Sequence, residues 1–67
     1  MRLRIEIELD NAAFGETNAE RIHEVDRILA EYVKQVRQAP GLLSDVGVRL
    51  KDINGNRVGY AYLERRM

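Results

Sequence analysis

The chain has 67 residues, of which 45% are hydrophobic and 33% are charged, the composition of a folded domain rather than a disordered one. A chain of this length forms at most one domain, which we place at residues 1–67, and it contains no cysteine for a disulfide or a thiolate zinc site. Acidic and basic residues are equal in number, 11 of each, which argues against a protein built mainly to neutralise nucleic-acid phosphates or to mimic them.

A β-strand is the first predicted element, over residues 2–9. Apolar residues alternate strictly with charged ones in this segment, at Leu3, Ile5, Ile7 and Leu9. A period of two is typical of a strand with one buried face and one solvent face. Charges are interleaved from the first residues, unlike in a signal peptide, and every apolar run is far shorter than the roughly 20 residues that span a bilayer. We therefore expect a cytoplasmic protein without a membrane segment.

A helix is predicted from Thr17 to about Gln38, after a loop that contains Phe14. This is the one phenylalanine of the chain, and we expect it to close one end of the core. Thr17 and Glu20, in the sequence TNAE, form a capping box in which each side chain accepts a hydrogen bond from the backbone of the other residue. The helix is expected to end at Ala39-Pro40-Gly41, because proline has no N–H to donate and disfavours helical geometry in the residue before it.

The predicted helix has an apolar face and a charged face. Apolar residues recur at spacings of three and four, at Ile22, Val25, Leu29, Tyr32 and Val36, with Ile28 and Val33 widening the stripe. The opposite side, which we expect to face solvent, carries Glu20, Glu24, Arg27, Glu31, Lys34 and Gln38. The same spacing fits a coiled-coil seam, but a predicted strand on each side makes a helix packed on a sheet the more economical interpretation.

The last part of the chain predicts a β-hairpin. Its first strand has apolar residues at alternate positions, Val46, Val48 and Leu50, and Asn54-Gly55 suits a two-residue type I′ turn, in which both positions need positive φ. On the helix side this turn predicts the pairs Leu50–Gly59, Val48–Ala61 and Val46–Leu63. On the other side it predicts the pairs Lys51–Val58, Arg49–Tyr60 and Gly47–Tyr62.

The element order β-α-β-β predicts an α+β fold with a three-stranded antiparallel sheet. The helix brings the chain back, so that the second strand runs parallel to the first, and the third strand fits between them. The expected strand order is 1-3-2, with the helix packed on one face of the sheet.

One helix cannot cover both faces of such a sheet, so the other face is expected to be open to solvent. Its side chains are expected to be Arg2, Arg4, Glu6, Glu8, Arg49, Lys51, Val58, Tyr60 and Tyr62. Two tyrosines then lie mid-sheet beside charged residues, with Arg49 placed to stack on Tyr60. Such a face is an ordinary half-exposed sheet, a contact surface for a protein, or a stacking platform for single-stranded nucleic acid.

We prefer the contact surface as the functional interpretation, because tyrosine and arginine are enriched at interface centres. The residues predicted to bind a partner are Tyr60, Tyr62, Arg49, Arg4 and Glu6. Glu6, Glu8 and the zero net charge count against nucleic acid. The outer strands also have free edges, and the regular first strand can recruit a further strand. The expected partner is therefore a protein, either a second copy of the chain or another protein.

The chain is poor in groups that support catalysis, with one histidine, one serine and one threonine. His23 is expected on the surface, Thr17 belongs to the helix cap, and Ser44 lies in a loop, so no catalytic triad is indicated. In the sequence DINGN at residues 52–56, Asp52, Asn54 and Asn56 match the first, third and fifth positions of a calcium-binding loop. The glutamate expected at the twelfth position is missing, and the glycine is at the wrong position. We therefore predict a turn there, no catalytic, cofactor-binding or metal-binding residues, and no enzyme.

The sequences DNAAF at residues 10–14 and LKDINGNRVG at residues 50–59 resemble those of short uncharacterised proteins from phages and bacterial prophages. That family carries no settled activity, so the resemblance assigns no site residues and implies only a bacterial cell and a mobile genetic element. By analogy with other small phage proteins, we expect a non-enzymatic protein that binds a protein partner, for example as an inhibitor of a host defence system. The alternative is a module that binds single-stranded nucleic acid on the open sheet face.

Overall fold

In the part of the chain that the structure describes, three strands and one helix follow one another in the order that the sequence predicts. The computed structural model describes residues 1–65 and contains β1 (Arg2–Ile7), α1 (Asn18–Gln38), β2 (Val48–Lys51) and β3 (Arg57–Glu64). Short 3-10 turns lie before and after the helix, at Ala12–Phe14 and Pro40–Leu42. Within residues 1–65, no helix is long and apolar enough to cross a membrane.

The sheet has the strand order β1-β3-β2, and both outer strands are antiparallel to β3. This confirms the predicted α+β fold and its topology. The predicted hairpin pairs are present at Val48–Ala61, Arg49–Tyr60 and Leu50–Gly59. Since side chains alternate along each strand, this register directs one set of side chains toward α1 and the other set to the uncovered face.

The two ends of α1 are as predicted. The Thr17 hydroxyl oxygen accepts a hydrogen bond from the backbone N–H of Glu20 (3.2 Å), and the Glu20 carboxylate accepts one from the N–H of Thr17 (3.3 Å). These reciprocal bonds satisfy backbone donors that have no partner within the helix. Hydrogen bonding from the Thr17 side chain is the largest cause of the lowered pKa of Glu20. At the other end, Pro40 begins a separate 3-10 turn and the helix stops before it.

The core lies between α1 and the half of the sheet that contains β2 and β3. Its buried apolar residues are Phe14, Ile28, Tyr32, Leu50, Val58 and Ala61. Phe14 is fully buried, as predicted. It belongs to the 3-10 turn Ala12–Phe14, which is capped by Asn11, whose side chain accepts a hydrogen bond from the N–H of Ala13 (2.9 Å). Because α1 lies over β2, it leaves Leu3 and Ile5 of β1 45% and 38% exposed.

The buried face of α1 differs from the predicted one. The sequence pattern places Glu24 in solvent, but the structure buries its side chain against the hairpin. Ile22 and Val33, which the pattern assigns to the apolar face, are 67% and 46% exposed. A carboxylate is tolerated in a buried position when its charge is paired and its oxygens accept hydrogen bonds. Arg27 and the backbone N–H of Ile53 meet both conditions for Glu24.

The hairpin does not form the predicted two-residue type I′ turn. Gly55 has a φ of 84°, but Asn54 does not have positive φ. The loop instead spans residues 53–55, and it is closed by hydrogen bonds from the Asp52 N–H to the Asn56 carbonyl (2.9 Å) and from the Gly55 N–H to the Asp52 carbonyl (3.0 Å). The Asp52 carboxylate also accepts from the N–H groups of Asn54 and Asn56, both at 2.9 Å, which confirms a turn role for the segment.

The longer loop changes the pairing at the start of β3. Lys51 lies opposite Arg57 rather than Val58, and the ladder is irregular between Leu50 and Lys51. The alternation of side chains is interrupted at such an irregularity. Val58 is accordingly buried in the core, and its predicted place on the uncovered face is wrong.

β2 begins later than predicted, because Val46 and Gly47 lie outside the strand. Gly47 has a φ of 81°, a conformation that departs from strand geometry. Val46 is 75% exposed and does not take its predicted place beside Leu63. The N–H of Leu63 donates to the carbonyl of Ser44 instead (2.9 Å). The strand pair β2–β3 is therefore shorter than the sequence pattern indicates.

Candidate functional site: the open face of the sheet

Side chains predicted to bind a partner stand on the face of the sheet opposite α1, which we call the open face. They are Arg4, Glu6, Arg49, Tyr60 and Tyr62. Tyr60 lies between Glu6 and Arg49 in one row across the strands, and Tyr62 lies opposite Arg4 in the next. Each row joins an aromatic ring on the central strand to charged residues on an outer strand. The structure therefore brings together all of the residues that the sequence assigned to partner binding.

The two tyrosines form the centre of the open face. Their ring centroids are 6.2 Å apart and the rings are tilted by 58°, within the range that aromatic pairs favour. The Tyr60 hydroxyl donates a hydrogen bond to the carbonyl of Val46 (2.7 Å), which holds the ring toward the β2 side of the sheet. Among residues 1–65, Tyr60 makes its aromatic contact with Tyr62, and the predicted stack of Arg49 on Tyr60 is not found.

Gly47 leaves the space that the tyrosine pair occupies. A Cβ atom at this position would lie 2.8 Å from Cε1 of Tyr60 and 2.9 Å from Cβ of Tyr62. It would also overlap the carbonyl oxygen of Ala61. Any other residue at position 47 would therefore displace the rings or the strand. The sequence pattern placed Gly47 opposite Tyr62 but did not reveal that Gly47 makes room for the rings. A glycine within an apparent strand was the one signal of such a close approach.

Charges of both signs surround the tyrosine pair. Nη1 of Arg4 and Oε2 of Glu64 form an ion pair at 2.9 Å, with their side chains 42% and 36% exposed. The hydrogen bond to Glu64 raises the pKa of Arg4. An exposed pair of this kind contributes little to stability, but it occupies one of the cations of the open face. Sequence reasoning missed Glu64, although the alternation of β3 places position 64 on the same face as Tyr60 and Tyr62.

A second polar cluster, also missed by sequence reasoning, joins α1 to the hairpin loop. Arg27 donates to both carboxylate oxygens of Glu24 (2.7 and 3.1 Å) and to the carbonyl of Lys51 (3.1 Å). Glu24 accepts a further bond from the N–H of Ile53 (3.0 Å). The helix thus holds the backbone on both sides of the buried Asp52. The spacing of three between Glu24 and Arg27 indicates an ion pair, but not its contact with a loop far along the chain.

The carboxylates of this cluster are held in their charged form. The hydrogen bond from Arg27 is the largest cause of the lowered pKa of Glu24, and Glu24 in turn raises the pKa of Arg27. Burial acts to raise the pKa of Asp52, but hydrogen bonds from Asn56 and Asn54 outweigh it and lower the pKa. Proton transfer at neutral pH is best served by a group with a pKa near about 7. The cluster is therefore suited to holding the loop in place.

Comparisons with known proteins add no family or activity to this geometry. The chain matches no protein-family model, no curated protein and no solved structure. The resemblance to phage and prophage proteins therefore stays a prediction based on residues 10–14 and 50–59. A function for the chain must be inferred from its surfaces.

Proposed function

We propose that the chain is a non-enzymatic interaction protein that binds a protein partner through the open face. The observation that carries the proposal is the Tyr60–Tyr62 pair, whose half-buried rings lie 6.2 Å apart at the centre of the face that α1 leaves uncovered. Tyrosine is enriched at interface centres because it offers a large contact area at a low cost in conformational entropy. Arginines flank the pair on both outer strands, at Arg4 and Arg49.

The partner that fits this face is a protein surface with charges of both signs. Arg49 and Glu6 stand on opposite sides of Tyr60. Arg4 is already paired with Glu64. The phosphates of single-stranded nucleic acid would be repelled by Glu6, and the pairing of Arg4 with Glu64 leaves fewer free cations on the open face to attract them. Charges of both signs around the tyrosine pair therefore favour a protein partner over single-stranded nucleic acid.

The cellular role that we propose follows from the sequence resemblance to phage and prophage proteins. In that setting the partner is a host protein in the bacterial cytoplasm. A small binder without catalytic groups acts by covering a surface of its partner, and inhibition of a host defence system is an activity of this kind. The open face is the surface that we expect to make this contact.

Capture from bacterial lysate on the immobilised protein tests the proposal. The wild type is compared with the double variant Tyr60→Ala/Tyr62→Ala and with a control, Lys34→Ala/Gln38→Ala, on the exposed side of α1. Loss of both central rings is expected to weaken capture of a discrete protein by about tenfold or more, while the control binds as the wild type does. Helical circular dichroism confirms that each variant is folded. Equal capture by both folded variants would show that the open face is not the binding surface.

Nuclease treatment and salt distinguish a protein partner from nucleic acid. A protein band that depends on the two tyrosines and survives nuclease and high salt supports the proposal. Binding to nucleic acid weakens steeply as salt increases, because it is driven by the release of counterions. Tyrosine-dependent recovery of nucleic acid that is lost at high salt would instead assign the open face to the alternative function, a stacking platform for single strands.

A further inference from the structure

On the side away from β3, β1 has a regular edge that pairs with no strand among the described residues 1–65. The N–H of Glu8, just after the strand, donates to the carbonyl of Val58 (2.8 Å). Backbone groups of successive residues point to opposite sides of an antiparallel strand. Because residue 8 is directed toward β3, the N–H and C=O groups of Leu3, Ile5 and Ile7 are directed to the free edge. β1 contains no proline, glycine or register shift that would prevent a further strand from pairing there.

The charges of this segment are arranged so that two antiparallel copies complement each other. Arg2 and Arg4 precede Glu6 and Glu8, and these alternate positions share one side of the strand. If Ile5 lies opposite Ile5 of a second copy, Arg4 lies opposite Glu6 and Arg2 lies opposite Glu8. A shift of two residues one way places Arg4 opposite Arg4 and, among residues 2–8, keeps opposite charges only at Arg2–Glu6. A shift the other way places Glu6 opposite Glu6 and keeps them only at Arg4–Glu8. Opposite charges directly across a strand pair are stabilising and like charges are destabilising.

We infer that two copies of the chain pair through β1, antiparallel, with a two-fold axis at Ile5. The backbone permits this register and excludes a shift by one residue, and the charges favour it over a shift by two. The outward-directed groups of Leu3 and Ile7 lie opposite one another, and those of Ile5 lie opposite those of its counterpart, so that each pair exchanges both N–H···O bonds. A register shifted by one residue would place outward-directed groups opposite inward-directed ones. The dimer then contains one continuous sheet, to which each copy contributes three strands.

The apolar side of β1 supports the same pairing. Leu3 and Ile5 are 45% and 38% exposed in one copy. In the proposed pair, Leu3 of each copy lies across from Ile7 of the other, and Ile5 lies across from Ile5, all on the side of the sheet that carries α1. The second copy thus covers part of the apolar surface that the helix leaves exposed.

This inference does not rest on the proposed function of the tyrosines. Tyr60 and Tyr62 belong to β3, which is separated from the new strand pair by β1. Capture of a partner can fail while the dimer forms, and the dimer can fail while capture succeeds. If both occur, the dimer presents two tyrosine pairs on one continuous face.

Sedimentation of the whole chain over a range of concentrations tests the charge register. Arg4→Glu and Glu6→Arg each introduce two like-charge pairs between the copies of a dimer, and each is expected to raise the dissociation constant by about tenfold or more. The double variant Arg4→Glu/Glu6→Arg restores opposite charges across the axis and is expected to recover to within about threefold of the wild type. Glu64→Gln removes the ion pair within one copy and is expected to leave the dimer intact.

A wild type that stays monomeric at every concentration overturns the inference. So does a double variant that dimerises no better than the two single variants, since charge complementarity would then not select the register. Circular dichroism verifies that each variant retains its fold before its dissociation constant is compared.

Single cysteines provide a second readout, since the chain has none of its own. Residues in a hydrogen-bonded antiparallel pair have Cα atoms about 5.5 Å apart, a distance that a disulfide can span. Ile5→Cys is therefore expected to cross-link two copies under mild oxidation. Leu3→Cys, whose counterpart lies about 13 Å further along the strand, is expected to remain uncross-linked. Equal cross-linking at the two positions, or none at position 5, overturns the proposed register.

Discussion

Glu24 is an acidic residue of α1 that faces the hairpin loop rather than solvent. Its carboxylate accepts hydrogen bonds from Arg27 at 2.7 Å and from the N–H of Ile53 at 3.0 Å. Arg27 also donates to the carbonyl of Lys51 at 3.1 Å. Buried backbone N–H and C=O groups need hydrogen-bond partners, either in the protein or in water. A pair of apolar side chains in place of Glu24 and Arg27 could not provide them. The ion pair therefore fastens an irregular segment to the helix.

Glu24→Gln is expected to lower the free energy of unfolding at neutral pH by about 1–3 kcal/mol, because Arg27 and the N–H of Ile53 lose a charged acceptor. The bond from Arg27 holds the pKa of Glu24 below its ordinary value of 4.5. The stabilisation is therefore complete above that value and is lost as the pH falls through the folded-state pKa. Urea unfolding at neutral pH and near pH 3 is expected to show that the difference between wild type and variant narrows in acid.

Asp26→Asn is the matched control, because it changes an exposed carboxylate of the same helix to an amide. It is expected to alter the free energy of unfolding by less than about 0.5 kcal/mol at either pH. The role assigned to Glu24 would be wrong if the two substitutions had equal effects, or if the effect of Glu24→Gln did not depend on pH.

At the scale of the elements, the hairpin depends on two glycines with positive φ, for different reasons. Gly55 has a φ of 84° in the loop, and a Cβ atom there would meet no heavy atom of residues 1–65 within 4 Å. Gly47 has a φ of 81° before β2, and a Cβ atom there would overlap the carbonyl oxygen of Ala61. The loop therefore needs glycine for its conformation alone, whereas the start of β2 needs glycine for conformation and for space.

Alanine at these two positions is expected to separate the two effects. Gly55→Ala is expected to cost about 1–2 kcal/mol of unfolding free energy, the cost of a left-handed conformation for a residue with a Cβ atom. Gly47→Ala is expected to cost more and to change the near-ultraviolet circular dichroism of the tyrosines, because it displaces the Tyr60 ring. Denaturant unfolding measures the free energy of unfolding of each variant. Equal losses with an unchanged tyrosine signal would mean that Gly47 does not shape the open face.

At the scale of the whole molecule, the core is so small that each buried residue contributes a large share of the folding stability. A chain shorter than roughly 70–80 residues rarely obtains more than about 3–5 kcal/mol from its core. The buried apolar residues come from the loop before α1, from α1 and from the hairpin, with no fully buried member in β1. β1 is held mainly by its ladder with β3, and it is the strand whose edge and apolar side remain available for pairing.

Phe14→Ala is expected to cost about 3–5 kcal/mol, which is comparable with the whole stability that such a core supplies. The variant is therefore expected to be largely unfolded at room temperature. Phe14→Leu removes less volume, and we expect it to remain folded with a loss of about 1–2 kcal/mol. Circular dichroism and thermal unfolding measure both. A cooperative transition of Phe14→Ala close to that of the wild type would show that Phe14 is not central to the core.

Much of the fold and of the open face could be predicted from patterns that extend over a few residues. Alternation in residues 2–9 locates β1, the capping box at Thr17 locates the start of α1, and Pro40 limits its end. Alternation in β3 also predicts that Tyr60 and Tyr62 share one face, and the structure places them there. Glu64 follows from the same alternation, but its ion pair with Arg4 depends on side-chain geometry that alternation does not specify.

The remaining features depend on contacts between segments that are distant in the sequence. The burial of Glu24 is possible only because a loop 29 residues further along the chain places an N–H group beside its carboxylate. Val58 is buried because the loop has three residues instead of two, and the aspartate that stabilises this loop is itself covered by the fold. The exposed apolar side of β1 follows from the position of α1 over β2.

The identity and order of the elements are thus encoded locally. Helix and strand periodicities are patterns over a few consecutive residues, and caps are interactions between near neighbours in the chain. The buried ion pair, the shifted hairpin register and the uncovered edge strand are properties of the packed molecule. In each of these, the free energy of placing a group depends on partners that only the folded chain brings within hydrogen-bond or van der Waals distance.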